Sequence, residues 1–404
     1  MNQNIAIYTL TSELHDAKAL AVTTKVFLSA LDVSYDLRGS DYSDYGSHLL
    51  HIIYVRTGGT EGIFRQLLPE LQTRSSQPFY LLTSGKSNSL AASMEILSYL
   101  HQHDIRGEIL HGSPQYISRR IAMLVTVTEA NKRLNATRLA LVGQPSDWLI
   151  SSHVNRSTVK ARLGISIVDI PMQALLDRIA KQPEVEPDGV NDSWPLKTDN
   201  AKVQQAIPGA YRIYRALKQL VADYRLLGFT LRCFDLLTAV KNTGCMALAR
   251  LNAEGYCAGC EGDMPALLTM SIARSLLGVS GFQANPASID PEIGQIVFAH
   301  CTIPFDMVTR YEADTHFESG IGVGIRGYMA EGPVTIFKLS GNLSRHFIAE
   351  GTLVRNEAKP DLCRTQQVIQ LADKSQTDYF LKQPIGNHHI IVPGHHRELL
   401  EMLL

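Results

Sequence analysis

Long apolar runs are missing from this chain. None of its 404 residues fall in a stretch of the about 18–20 apolar residues that a membrane-spanning helix requires, which argues against a helical span. An excess of one charge is missing too. Lys and Arg number 38 against 39 Asp and Glu, a formal net charge of −1, so no basic surplus points to nucleic acid or an anionic membrane. The opening "MNQNIAIYTL" lacks the basic start and long apolar stretch of a signal peptide, and the expected compartment is the cytoplasm. No GxSxG is present, and no GxGxxG opens a helix after a strand, which weakens hydrolase and dinucleotide readings. "SGKS" (residues 84–87) resembles the end of a phosphate-binding loop, but that motif needs a glycine where Tyr80 stands. Finally, the CxxC of Cys257 and Cys260 has no second pair to complete a zinc site. Cys233, Cys245, Cys257, Cys260, Cys301 and Cys363 therefore read as buried thiols.

What is present is an ordinary globular composition, 45% hydrophobic and 19% charged, in a chain long enough for two or three domains. "NIAIYTL", "VSYDLRG", "HLLHIIYV" and "QPFYLLTSG" are β runs separated by helical stretches, the pattern of a parallel sheet covered by helices. This first α/β domain is expected over residues 1–112. "RLALVGQ" and "GISIVDI" start a second alternation, with Pro171 opening a helix, an exposed proline-rich loop over residues 181–200, and a long helix over residues 209–226. "YCAGCEGD" reads as a strand and its tip. Asp263 is placed to cap the following helix, with Leu268, Ile272 and Leu276 on one face. A second α/β domain is expected over residues 113–280. From residue 281 to 404 the chain changes to β runs punctuated by glycine turns, such as "QIVFAHCTIP" and "PVTIFKLSG", as in an antiparallel barrel or sandwich. The expected class is thus α/β: two Rossmann-like α/β domains with parallel sheets, followed by a C-terminal antiparallel β domain.

Four features could carry chemistry. Glu261 sits where a buried strand gives way to a helix, and ligands of α/β domains gather at the carboxyl ends of strands; the alternative is a solvated loop carboxylate. His300 ends the apolar strand "GQIVFAH", either as a ligand or as a hydrogen-bonded structural residue. His388 and His389 precede an apolar β run and could supply a metal ligand, or belong to a solvated histidine cluster with His395 and His396. The loops "RTGGTEG" and "LTSGKSN", which hold Arg56 and Lys86, either present N–H groups to an anion or sugar or are plain strand-to-helix turns.

Five segments come in a telling order: "CEGDMPALLTMSIARSLLG", "GFQANPASIDPEIGQIVFAHCTIP", "THFESGIGVGIRG", "GPVTIFKLSG" and "GNHHIIV". Together they resemble the L-fucose/L-arabinose isomerase superfamily, most of all its shorter fucose isomerase-like members. The likeness is strong from about Phe229 onward and only architectural over the first 220 residues. It implies two α/β domains and a C-terminal β domain. It also implies a homo-oligomer with sites near subunit boundaries; if the two first-domain loops are functional, a neighbouring copy would bring Arg56 or Lys86 over the site to bind substrate. The implied activity is a metal-dependent aldose–ketose isomerisation of a pentose, 6-deoxyhexose or modified hexose, or a non-catalytic sugar-binding or regulatory role descended from it. The implied metal is divalent, most commonly Mn²⁺. Its ligands would be Glu261, Asn285, His300 and His389, with His388 as the alternative to His389, and Glu261 and Asn285 would occupy the catalytic positions. Asn285 departs from the family, which has a carboxylate there. An amide can offer oxygen to a metal but cannot take a proton at neutral pH. Either Glu261 acts as the only base, or Asp263, Asp290, Asp306 or Glu318 replaces the missing carboxylate, or no isomerisation occurs.

Overall fold

The computed structural model of the chain describes residues 4–183 and 193–404. It divides into two compact units, Met1–Glu129 and Ala130–Leu404. In the first unit, strands β1 (Ile5–Leu10), β2 (Asp36–Gly39), β3 (Leu50–Val55), β4 (Phe79–Leu82) and β5 (Gly107–Leu110) form a parallel sheet in the order β2-β1-β3-β4-β5. β1, β3 and β4 are buried along their whole length, as expected where helices cover both faces of a parallel sheet. Tyr8, Tyr42 and Tyr45 pack together beneath it, with Tyr8 stacked on Tyr42 at 5.1 Å.

The second unit begins with another parallel sheet. Strands β6 (Arg138–Val142), β7 (Ser166–Ile170), β8 (Gly228–Leu231) and β9 (Cys257–Cys260) lie in the order β7-β6-β8-β9. Eight more strands follow: β10 (Phe282–Asp290), β11 (Gln295–His300), β12 (Arg310–Asp314), β13 (Gly324–Tyr328), β14 (Gly332–Leu339), β15 (His346–Glu357), β16 (Thr365–Leu371) and β17 (His389–Pro393). β12 and β13 form a hairpin, and the other six close into a barrel, β10-β11-β16-β15-β14-β17. All its pairings are antiparallel, β17 closing on β10. Closure removes the edges that an open sheet would expose. The expected class is therefore observed: two parallel sheets and an antiparallel barrel.

Sheet and barrel share one core, in which Ala140, Leu231, Phe282, Phe298, Ile336 and Ile391 belong to a single buried cluster. The helix Met264–Leu277 explains why. Twelve of its 14 residues are buried, so it has no solvent face. It packs on β8 and β9 on one side and on β14 and β17 on the other. The Leu339 amide donates to Thr269 Oγ1 at 3.1 Å, tying helix to barrel. An amphipathic stripe would suffice for one contact; burial all round is what two contacts require.

One helix runs longer than its sequence suggests. It spans Ala201–Tyr224 and carries Pro208 inside it. The proline removes one N–H from the ladder. Asn200 compensates at the start, accepting from the Lys202 amide at 3.1 Å, and a face including Val203, Ile213, Leu217 and Leu220 is buried. Pro171 sits at the N-cap of the helix Met172–Lys181. Of the expected loop over residues 181–200, residues 184–192 lie outside the described part.

Candidate metal centre and pocket

β9 ends at the carboxyl edge of its sheet, and the chain must turn at once into the buried helix Met264–Leu277. Glu261 makes that turn with φ +64° and Gly262 with φ +73°. A β-carbon on Gly262 would lie 2.6 Å from Gln144 O and 2.7 Å from Pro145 Cα, so only glycine fits. The Ser146 amide donates to Glu261 O at 2.9 Å, and Gly262 N donates to Leu231 O at 3.0 Å. Gln283 of β10 accepts from Cys260 N at 2.8 Å. A non-glycine residue in the left-handed region costs of order 1–3 kcal/mol; here these bonds hold it, and the carboxylate points into the site.

Glu261 Oε1 lies 3.7 Å from His300 Nε2 and 3.6 Å from His388 Nε2. These separations exceed hydrogen-bond length. They are close to what a shared ion produces, since two donors each about 2.1 Å from a centre stand about 3.0–3.6 Å apart. Among the described residues, Glu261, His300 and His388 are the group of His, Cys, Asp and Glu side chains disposed to hold an ion. His388 Nε2 is buried without a hydrogen-bond partner, as is Asn285 Oδ1. Strand register brings the last of these in. Asn285 faces Ala299, next to His300, and its neighbour Ala284 faces His389. Asn285 thus lies on the strand between β11, which ends at His300, and β17, which His388 immediately precedes. A carboxylate and two imidazoles from three segments around one point, with the orphaned Asn285 oxygen on the wall of the adjoining cleft, fit a divalent cation that prefers mixed nitrogen and oxygen ligands.

Each imidazole is held from behind. His388 Nδ1 is 2.9 Å from Asp263 Oδ2, and His300 Nδ1 is 3.0 Å from Thr302 Oγ1. With the proton on Nδ1, both Nε2 lone pairs face the centre. Burial would raise the Asp263 carboxyl, but Lys338 and His388 outweigh it and hold it below the usual carboxylate range. Asp263 also caps the helix as its sequence suggests, its Oδ1 accepting from Ala266 N at 2.9 Å. Lys338 Nζ, fully buried, stands 3.8 Å from Asp263. Burial would likewise raise Glu261, yet the two imidazoles keep it well below its ordinary value. Burial lowers His300. Burial would also lower His388, but the charges of Glu261 and Asp263 lift it to about 9. The centre therefore demands positive charge, which a proton or a metal ion can supply.

His389 does not point to this centre. Neighbouring side chains at a strand take opposite faces, and its ring packs among Phe298, Phe347, Tyr379 and Phe380. Its Nε2 is 3.0 Å from Tyr379 Oη and its Nδ1 is 2.9 Å from Asn387 O. Burial pushes it down to about 3.

A cleft of about 450 Å³ opens beside the centre, lined by Trp148, Phe234, Glu261, Asn285, Pro286, Glu318 and Asn387. Trp148 Nε1 donates to Glu261 Oε2 at 2.6 Å, and its ring meets Phe234 edge-on at 4.8 Å. Phe234 in turn meets His316 edge-on at 5.6 Å. An aromatic wall facing polar groups suits a sugar, which has apolar C–H faces and a hydroxyl rim. Trp148 and Phe234 escape the sequence reading. The available signal was their place just beyond the carboxyl ends of β6 and β8.

The cysteines take no part in the cluster. All six are free, and five are buried. Cys260 faces Cys233, Sγ to Sγ 3.1 Å, rather than its CxxC neighbour Cys257. Arg56 and Lys86 lie in the first unit, in loops at the carboxyl ends of β3 and β4 that meet through the Gly58 N to Ser87 O hydrogen bond. Arg56 donates to Thr11 Oγ1 at 2.7 Å and Thr24 Oγ1 at 3.4 Å.

No family model matches the chain. It is similar to curated proteins named sulfoquinovose isomerase. Those of Priestia aryabhattai and Priestia megaterium are each 23% identical over 269 residues, covering 63% of this chain and 59% of the relative. That of Clostridium sp. (strain MSTE9) is 24% identical over 242 residues, covering 58% and 52%. The chain thus matches somewhat more than half the length of these relatives.

Proposed function

We propose that the chain is a metal-dependent aldose–ketose isomerase acting on a pentose, 6-deoxyhexose or modified hexose. The observation that carries this is the convergence of Glu261, His300 and His388 on one point beside a polar cleft with an aromatic wall. The resemblance to the L-fucose/L-arabinose isomerases supports it, as does the name of the relatives, which adds a sulfonated hexose to the candidate substrates.

Glu261, His300 and His388 would hold the ion, in this reading Mn²⁺, and Asn285 would offer an amide oxygen. When bound, such an ion stabilises the negative charge that develops on the sugar oxygens during proton transfer. The chain does the rest. Asp263 and Thr302 fix the imidazoles. Trp148 holds Glu261 by its free oxygen and presents its ring to the sugar. Asn387 offers a hydroxyl partner from the cleft wall.

Two measurements test this. Elemental analysis of purified protein should find about one divalent ion per chain, falling at least tenfold in Glu261→Ala; unchanged content in the variant refutes the assignment. Incubation in D₂O with Mn²⁺ and a panel of L-fucose, L-arabinose, L-rhamnose and sulfoquinovose should place deuterium at C1 or C2 of at least one sugar. Tight binding without exchange would favour the second reading, a sugar-binding protein, for which Asn285 is the supporting observation.

A further inference from the structure

Aldose–ketose isomerisation needs a group that takes a proton from carbon and returns it to the adjacent carbon. The seven residues lining the cleft include two that can do so, Glu261 and Glu318. Glu261 is committed. Its Oε2 accepts from Trp148 at 2.6 Å and its Oε1 faces both imidazoles. Asn285 has no basic atom. The other acids that sequence leaves open are placed elsewhere or engaged. Asp263 is 0% exposed and bound to His388 and the Ala266 amide. Asp306 accepts from Ser280 at 2.8 Å. Asp290 accepts from the Glu292 amide at 3.0 Å, in the turn at the far end of β10.

Glu318 differs on each count. It lines the cleft with Glu261 and Asn285, and no hydrogen bond or ion pair engages its carboxylate among the described residues. Yet its backbone is fixed. Gly320 N donates to His316 O at 2.9 Å and His316 N to Ile321 O at 3.0 Å, closing the turn that carries it. His316 Nδ1 lies 3.0 Å from Ser319 Oγ, and the His316 ring rests on Phe234. Past the turn, Gly322 comes so near Thr243 that a β-carbon there would lie 2.7 Å from Thr243 Cγ2. Thr243 Oγ1 bonds both Val323 O and Val323 N. A free carboxylate on a pinned turn is what a general base requires.

Resting on the isomerase reading, we infer that Glu318 is the catalytic base that moves the proton between C1 and C2 of the sugar, while Asn285 serves only as a ligand. The Glu318 carboxylate takes the proton from C2, and the C–H electron pair becomes the C1=C2 bond of an enediol. The resulting carboxylic acid returns the proton to C1. The hydroxyl proton lost from O2 as its carbonyl forms is matched by one gained at O1, so no oxidant or co-reactant is consumed. Burial in the cleft and the charge of Glu261 both raise the Glu318 carboxyl above its ordinary value, toward the range in which a carboxylate abstracts protons well.

The test is Glu318→Gln, assayed by deuterium exchange and turnover on whichever panel sugar the unaltered protein isomerises. The expected result is a fall in kcat of about 10²–10⁴-fold, the usual contribution of a general base, with KM changed less than threefold and metal content and melting temperature as in the unaltered protein. Glu318→Asp should keep part of the exchange and shift the acidic limb of its pH profile. Asn285→Asp in the Glu318→Gln background should restore no more than a trace, because that position faces the ion. If the unaltered protein exchanges deuterium and Glu318→Gln does so within threefold of it, the assignment of Glu318 is overturned and the isomerase reading stands. If the unaltered protein exchanges none with any panel sugar, the isomerase reading falls and this one with it.

Discussion

Asp263 carries three contacts on one carboxylate. One oxygen caps the helix at Ala266; the other meets His388 Nδ1 and faces Lys338. All three partners are buried, and the Lys338 ammonium has no hydrogen bond of its own. Removing one member of a buried charge pair strands the other, at a cost of about 3–5 kcal/mol. Asp263→Asn keeps the size and a good cap but strands Lys338. We expect it to lose about 3–5 kcal/mol in urea unfolding, and Asp263→Asn with Lys338→Met to recover at least half of that. A single variant within about 0.5 kcal/mol of the unaltered protein would show that Lys338 carries no charge in the fold. Asp263 was legible in the sequence as a cap, because Asp before Met-Pro at a helix start has a local signature. Its bond to His388, 125 residues away, was not, because no local pattern encodes a contact between a helix start and a strand start.

At the scale of elements, the strand–turn–helix from Cys257 to Leu277 organises the site. Its weak point is Gly262. Alanine there meets both a positive φ and the backbone of residues 144 and 145. We expect Gly262→Ala to cost about 1–3 kcal/mol by thermal or urea unfolding and to lower metal content along with it, since Glu261 must move with its neighbour. A variant with full stability and full metal content would show that the turn relaxes without moving Glu261. Elements of this kind were the most readable part of the sequence. β1, β3, β6, β9, β11 and β14 are short apolar runs, and each appears where its run lies, whereas the more polar β10 and β16 carry no such signal. The helix Ala201–Tyr224 was under-read because Pro208 argues for a later start, and the burial of its apolar face outweighs that local cost. β5 (Gly107–Leu110) is short and only partly buried, so it has little periodic signal. The choice between His388 and His389 could not be read at all. It depends on which face of β17 meets the helix Met264–Leu277, and that is decided by barrel closure.

At the scale of the molecule, the residues proposed to hold the ion belong to one unit, Ala130–Leu404, and come from both its sheet and its barrel. Mn²⁺ should therefore stabilise that unit. Calorimetry with free Mn²⁺ at 100 times its dissociation constant should show an added stability of about 2.7 kcal/mol. Two transitions are expected, of which only the one assigned to the second unit moves. A chelator should reverse the shift, and Glu261→Ala should abolish it. Equal shifts of both transitions would refute the placement.

The order of the proposed ligands along the chain has a consequence in time. Glu261 is followed by His300, and His388 comes 127 residues after Glu261 (388 − 261). At synthesis rates of about 5–20 residues per second, that gap lasts about 6–25 s. Throughout it the nascent chain lacks the second imidazole, and of the proposed set it offers only the Glu261 carboxylate, the Asn285 amide and the His300 imidazole. Only when β17 enters the barrel is the ligand set whole. On the metal-dependent reading, the ion would then be chosen from whatever the finished protein's surroundings supply, so an ion found after expression would report on the growth medium as much as on the protein. Affinity alone would favour ions later in the divalent series than Mn²⁺, which makes the metal supply during growth the variable to control first.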